Sequence, residues 1–190
     1  MTTVAIIGAG PLGRWLALSA ARAGFRVLLE DVMPTNLHHA QELLRQELGP
    51  EALGNDSGSG VAFVSTIEDA VREADLAIDC VPDELESKLE IFWLLDRMAP
   101  PRTVLATPTT RLSIADLANC TYRPDKCVAI VAEAASLAAG VSAEILLRTT
   151  SRTTAETVAL VESFWRRLGF APRFEMDTAV SEQWSVNSGQ

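Results

Sequence analysis

The chain has few groups that would staple it or hold a metal. Of its 190 residues, three are cysteine and two are histidine. Cys80, Cys120 and Cys127 show no C-x-x-C spacing, and Cys80 and Cys127 sit in apolar runs. Free thiols in a reducing cytoplasm are therefore expected, not disulfides. His38 and His39 are neighbours on a predicted helix, where successive side chains diverge by about 100°; that excludes an i, i+4 metal pair, and no metal site is expected. Positive charge is also short. Sixteen Lys and Arg against 25 Asp and Glu give a net charge of −9, which argues against a nucleic-acid or membrane-surface partner. No apolar run reaches the roughly 20 residues of a membrane helix. The apolar start Val4–Ile7 has no basic flank before it, so it is no signal peptide. A cytoplasmic protein is expected. Hydrophobic residues make up 48% and charged residues 22%, enough for one core at this length.

What is present begins at residue 4. Val4-Ala5-Ile6-Ile7 reads as a buried strand and runs into Gly8-Ala9-Gly10-Pro11-Leu12-Gly13, a G-x-G-x-x-G loop with a helix expected after Gly13. Gly8 allows a tight turn, Gly10 leaves room for a pyrophosphate, and Gly13 lets the helix pack closely on the sheet. The N–H groups at the helix start then face the phosphates. Phe25–Leu29 is the next strand, and Asp31 lies 18 residues beyond Gly13. An acid there accepts hydrogen bonds from ribose hydroxyls and repels a 2′-phosphate. With no arginine immediately after it, the pattern favours NAD over NADP. Glu30 takes this role if the register is shifted by one.

The remaining periodicity alternates strand and helix. Helices are predicted over Pro34–Leu48, Glu84–Met98, Ser113–Ala118 and Thr154–Leu168. Leu85, Leu89, Phe92 and Leu95 are placed on one face, and Glu84 and Lys88 form an i, i+4 pair. Ser65-Thr66-Ile67-Glu68 reads as a capping box before a short helix. Strands are predicted over Val61–Val64, Asp75–Val81, Thr103–Ala106, Cys127–Ala132, Glu144–Arg148 and Pro172–Glu175, with a loop over Gly49–Gly60. This order implies an α/β fold: a Rossmann-type, doubly wound, mostly parallel sheet with helices on both faces. Residues 1–176 form the single domain and 177–190 a tail. Ligands bind beyond the carboxyl ends of such strands.

Several stretches resemble one family. Val4 to Arg14 resembles the opening of the 3-hydroxyacyl-CoA dehydrogenase NAD-binding domain. Asp79-Cys80-Val81-Pro82-Asp83-Glu84-Leu85-Glu86-Ser87-Lys88 is similar to its E-A-V-P-E-N-L-x-x-K, and Ala106-Thr107-Pro108-Thr109-Thr110-Arg111-Leu112-Ser113-Ile114 to its A-S-N-T-S-S-L-x-I. Thr154–Val158 with Leu168-Gly169 resembles its next helix. The resemblance implies NAD as cofactor, held by Gly8, Ala9, Gly10, Pro11, Leu12, Gly13 and Asp31, with Val81 and Asp83 beside it. Asp83 stands at the family's glutamate near the cofactor. Lys88 stands at its lysine, where a cofactor contact and a solvated lysine paired with Glu84 are both open. Thr110 falls on the serine that contacts substrate and cofactor.

The departures lie in the proton chemistry. The family's L-H-F-F-N-P corresponds to Ile130-Val131-Ala132-Glu133-Ala134-Ala135, which puts Val131 at the catalytic histidine. Ala134 and Pro108 replace asparagines, and Trp15 replaces a small residue on the first helix. Glu133 is the local substitute for the base, and Glu144 matches the orienting glutamate after a one-residue insertion. The helical second domain of the family would begin about where this sequence ends, and its G-F-I-V-N-R opening is absent from Met176 to Gln190. The implied function is an NAD-dependent oxidoreductase with a degenerate active site, acting on a small acyl or hydroxy-acid substrate. The alternative is a non-catalytic NAD-binding sensor or partner subunit. Burial of apolar surface in a homodimer or partner complex is expected.

Overall fold

The computed structural model describes residues 2–54, 60–132 and 144–177. Eight strands form one sheet: β1 (Thr3–Ile7), β2 (Arg26–Glu30), β3 (Gly60–Val64), β4 (Leu76–Asp79), β5 (Val104–Pro108), β6 (Cys127–Val131), β7 (Glu144–Thr149) and β8 (Ala171–Met176). The helices between them are α1 (Pro11–Arg22), α2 (Pro34–Leu48), α3 (Ile67–Val71), α4 (Leu85–Met98), α5 (Ile114–Asn119) and α6 (Ala155–Arg167). The strand order is β3-β2-β1-β4-β5-β6-β7-β8. Every pairing is parallel except β6 with β7. The doubly wound fold expected from the alternation is what the chain adopts. Its winding direction reverses at β1 and β4, the switch point where such sheets bind ligands.

Two cores explain why the central strands read as continuous apolar runs. On one face Val4, Ile6, Val27, Leu29 and Ile78 meet Leu16 of α1, Leu44 of α2 and Phe164 of α6. On the other, Ala5, Ile7, Leu28, Ala77 and Leu105 meet Val71 of α3, Phe92 of α4 and Leu117 of α5. Trp15 packs edge-on to Phe170, centroids 5.9 Å apart. That places it against the first core, and it is not a wall of the cofactor cleft.

Several local expectations are corrected. α1 starts at Pro11, so Gly13 lies inside its first turn. The cap of α3 is Thr66, which accepts from the Asp69 N–H, one residue later than the expected box. Leu85 is not inward: it is 48% exposed, because α4 begins there and its core face is set by Phe92 and Leu95. Part of the expected loop over Gly49–Gly60 is a 3₁₀ turn at Pro50–Ala52.

The register places two acids beside the end of β1. Ile7 pairs with Glu30 on one side and Asp79 on the other. Glu30 is 5% exposed. Burial, and then the charge of Asp31, raises its carboxyl from 4.5 to about 7. The folded protein thus holds a proton on Glu30 that the unfolded chain releases near pH 4.5. The resulting stabilisation is complete below that pH and is lost as pH rises through about 7. Glu30→Gln removes this dependence. Compared by urea unfolding at pH 5 and pH 8, the variant should gain on the parent by up to about 3 kcal/mol at the higher pH. A constant difference between the two proteins at both pH values would refute the assignment.

Candidate functional site

A cleft of about 560 Å³ opens at the carboxyl ends of β1, β4, β5 and β6, within the size range of sites that enclose small ligands. Its first wall is the glycine loop. Gly8 turns the chain out of β1 at φ +103°, and its N–H donates to the Glu30 carbonyl at 2.8 Å. A Cβ on Gly13 would lie 1.8 Å from the Gly8 carbonyl oxygen, so α1 rests against the loop with no room for a methyl. A Cβ on Gly10 would meet nothing within 4 Å. Gly10, Pro11 and Leu12 line the cleft. The first-turn N–H groups of a helix have no intrahelical acceptor, and Pro11 at N1 has none to lose.

Asp31 closes the second wall. Its Oδ2 accepts from the Ala9 N–H at 2.8 Å and from Asn36 Nδ2 at 3.1 Å. Its Oδ1 accepts from the Met33 N–H at 2.8 Å and from the same Asn36 amide at 3.2 Å. One carboxylate thus joins the glycine loop to the start of α2. Asp31 lines the cleft, whereas Glu30, one residue earlier on the strand, projects to the opposite face of the sheet. The geometry therefore selects Asp31 over Glu30 as the acid available to a ligand there. Asn36 was missed in the sequence, although its place five residues after the acid on a helix start is a readable signal.

The third wall follows β4. Lys88 is fully buried and its Nζ lies 3.2 Å from Asp79 Oδ2. This overturns the reading of Lys88 as a solvated lysine paired with Glu84. It also takes Lys88 off the cleft surface: Nζ donates to Asp79 and to the Val81 carbonyl, the latter at 3.3 Å. Asp79 accepts further from the Val81 N–H and the Thr107 hydroxyl. Burial pushes the Asp79 carboxyl up, against the lowering effect of Lys88 and these hydrogen bonds. The pair grips both polar groups of Val81 and so sets the Val81-Pro82-Asp83 turn that lines the cleft. Cys80, also on the wall, has its thiol pushed far up, chiefly by burial and then by Asp79; it is no nucleophile near neutral pH.

The last wall comes from β5 and β6. Pro108, Thr109, Thr110 and Ala132 face the cleft. Asp83 Oδ2 accepts from the Thr110 N–H at 3.2 Å, while Oδ1 is buried without a partner. Val131 ends β6 immediately before Ala132. Val131 pairs with Leu146 across the antiparallel step, so Glu144 lies on the same sheet face, two residues beyond the pair. It is not a wall of the cleft, and it pairs with Arg173 at 3.5 Å. Glu133 and Ala134 lie outside the described residues, as does the tail from 178. Of the expected cofactor residues, the structure brings Gly8, Gly10, Pro11, Leu12, Asp31, Val81 and Asp83 to one cleft. Ala9, Gly13 and Lys88 lie behind it. Among the described residues no group of three His, Cys, Asp or Glu is placed to hold a metal, and no helix is long and apolar enough to cross a membrane.

The buried pair carries a direct test. Lys88→Met leaves Asp79 without its cation and should destabilise the protein by about 3–5 kcal/mol in denaturant unfolding at pH 8; the double change with Asp79→Asn should recover much of that loss. A single variant as stable as the parent would mean that the pair is not formed.

Comparison with known proteins agrees with this geometry. Residues 3–172 match the family described as 3-hydroxyacyl-CoA dehydrogenase, NAD binding domain. The chain is 33% identical over 133 residues to a probable 3-hydroxybutyryl-CoA dehydrogenase of Bacillus subtilis, a match covering 66% of this chain and 46% of the relative. It is also 33% identical over 130 residues to the 5-formyl-3-hydroxy-2-methylpyridine 4-carboxylate 5-dehydrogenase of Mesorhizobium japonicum, over 66% of this chain and 42% of that one. A crystal structure of a 5-formyl-3-hydroxy-2-methylpyridine 4-carboxylic acid 5-dehydrogenase, an NAD+-dependent dismutase, aligns with a TM-score of 0.77 at 28% identity, over 93% of this chain and 59% of that chain. The (S)-3-hydroxybutyryl-CoA dehydrogenase of Ralstonia eutropha shares the fold, with a TM-score of 0.79 at 21% identity, over 94% of this chain and 64% of that chain. The chain spans less than half the length of the two sequence relatives. A glycine loop, an acid at the end of β2 and a family match over most of the sequence converge: the chain belongs to the NAD-binding-domain family of the 3-hydroxyacyl-CoA dehydrogenases, whose cofactor is NAD.

Proposed function

We propose that the chain holds NAD across the β1–β4–β5 cleft and is an oxidoreductase of 3-hydroxyacyl-CoA dehydrogenase type whose proton-transfer site is degenerate. The observation that carries this reading is Gly10. Open space lies where its side chain would be, while Gly13 is packed too tightly for a methyl. That is the arrangement a pyrophosphate at a helix start requires. Gly10, Pro11 and Leu12 would hold the phosphates, Asp31 a ribose, and Val81 and Asp83 the nicotinamide side. Thr110 presents a hydroxyl on the substrate side. NAD supplies a hydride acceptor; the chain supplies binding, orientation and exclusion of water. The substrate class is a short hydroxyacyl compound or hydroxy acid.

Val131 accepts no proton, and a missing general base costs about 10²–10⁴-fold in rate. We assign Glu133 as the substitute base and Glu144 as an acid that acts through it. The second reading, a non-catalytic NAD-binding sensor or partner subunit, is favoured by the same valine. Free thiols at Cys80, Cys120 and Cys127 support a cytoplasmic setting. The exposed edge strand β8, with Met176 60% exposed, supports a homodimer or partner complex.

Calorimetric titration with NAD and NADP tests the cofactor assignment. Asp31→Ala should weaken both, because it releases the loop at Ala9, but NAD by about tenfold more. Equal losses would make Asp31 a structural acid only, and no heat with either cofactor would remove the proposal. NADH consumption with short 3-ketoacyl-CoA esters and with 3-oxo acids then separates the two readings. Turnover that falls in Glu133→Gln supports the enzyme; NADH binding with no turnover above that variant supports the sensor.

A further inference from the structure

Two described cations bond to residues that line the cleft. Lys88 reaches Val81 but is neutralised by Asp79. Arg111 reaches Asp83: its Nη2 donates to the Asp83 carbonyl oxygen at 3.2 Å. No carboxylate among the described residues pairs with it, and the Asp83 carboxylate is engaged instead by the Thr110 N–H. The lining itself contains no lysine, arginine or histidine, and two aspartates. Arg111 is thus an exposed cation bonded to the rim of the cleft, with no carboxylate partner among the described residues.

Its position is built. The Thr109 side chain is buried, and its hydroxyl accepts from the N–H groups of Arg111 and Leu112 at 3.3 and 3.0 Å. The Thr109 N–H donates to the Ile130 carbonyl at 3.0 Å, which ties this turn to the end of β6. The backbone of Arg111 is therefore held by Thr109 and its guanidinium by one bond to Asp83, which leaves four of the five guanidinium N–H donors for a ligand. Arg111 follows Thr110, a lining residue, and bonds to Asp83, another, on the turns after β5 and β4. The family pattern has a serine at this position, with no charge.

We infer that Arg111 determines specificity by binding the carboxylate of a short oxo or hydroxy acid at the β5–β6 end of the cleft. The inference rests on the oxidoreductase reading and narrows its substrate. A planar guanidinium fork matches a carboxylate in a bidentate pair. A free acid presents that charge next to the reacting carbon chain, whereas a CoA thioester is neutral at the same carbon. Thr110 is left to contact the substrate oxygen.

The test is equilibrium binding to the full chain, with and without NADH, of acetoacetate, its neutral methyl ester and acetoacetyl-CoA. The parent should bind acetoacetate about tenfold more tightly than the ester, and more weakly as salt is raised. Arg111→Gln should abolish the preference, and Arg111→Lys should keep part of it. Equal binding of acid and ester, no acid binding at all, or a preference for the thioester that Arg111→Gln does not alter would each overturn the inference. NAD titration of the same samples keeps the two proposals apart. If NAD fails to bind yet acetoacetate binds through Arg111, the cofactor reading falls and the carboxylate site loses its assignment to an oxidoreductase substrate; if NAD binds and the acid does not, this inference alone falls.

Discussion

The whole site depends on a contact that leaves no room for a side chain. Gly13 lies so close to the Gly8 carbonyl that a methyl would sit 1.8 Å from it. This proximity brings the start of α1 against the end of β1 and aims its unsatisfied N–H groups into the cleft. Gly8, with its positive φ, is the turn that makes the approach possible. The surrounding core keeps it closed: Leu16 and Ala20 of α1 are fully buried against the sheet.

Around that contact, carboxylates act as connectors between loops. Asp31 joins the glycine loop to α2 through Ala9, Met33 and Asn36. Asp79, with Lys88, fixes the backbone of Val81. Asp83 ties the turn after β4 to the turn after β5. Each spans two segments whose own backbone geometry leaves N–H groups unpaired. Their common place, at the carboxyl ends of parallel strands, explains how a site with so much negative charge remains ordered: the charges are satisfied by N–H donors before a ligand arrives. Asp83 Oδ1 is the one buried side-chain nitrogen or oxygen among the described residues left without a hydrogen-bond partner.

The sequence made the strands and the loop legible because both are local. A β-branched run followed by spaced glycines needs no long-range information, and each predicted strand is found within a few residues. Lys88 was not legible in the same way. Its partner i−4 is Glu84, and helix spacing suggested a surface pair; the true partner, Asp79, lies on a strand and meets it only after the helix packs. Leu85 fits an apolar stripe yet begins its helix, where the stripe has left the core. The reversal at β7 was also hidden, because an apolar run has the same pattern in either direction. Asn36 and Arg111 bond to Asp31 and to Asp83, groups on other segments that local sequence patterns do not reveal.

The glycine loop with Asp31 and the end of β6 lie at different parts of this sheet, so residues at one can change while those at the other persist. The first two walls of the cleft come from β1, α1 and β2, fixed by glycine geometry and by Asp31. The end of β6, which carries Val131, is held by apolar neighbours and by pairing with β7. Val131 suits that strand at least as well as a histidine does, being β-branched and without a polar group to satisfy. Folding therefore imposes no cost on a valine at that position, whereas a side chain at Gly13 would force α1 away from the loop. The packing constraints hold the glycine-loop end of the cleft and leave its β5–β6 end, with the turn that carries Arg111, freer to vary.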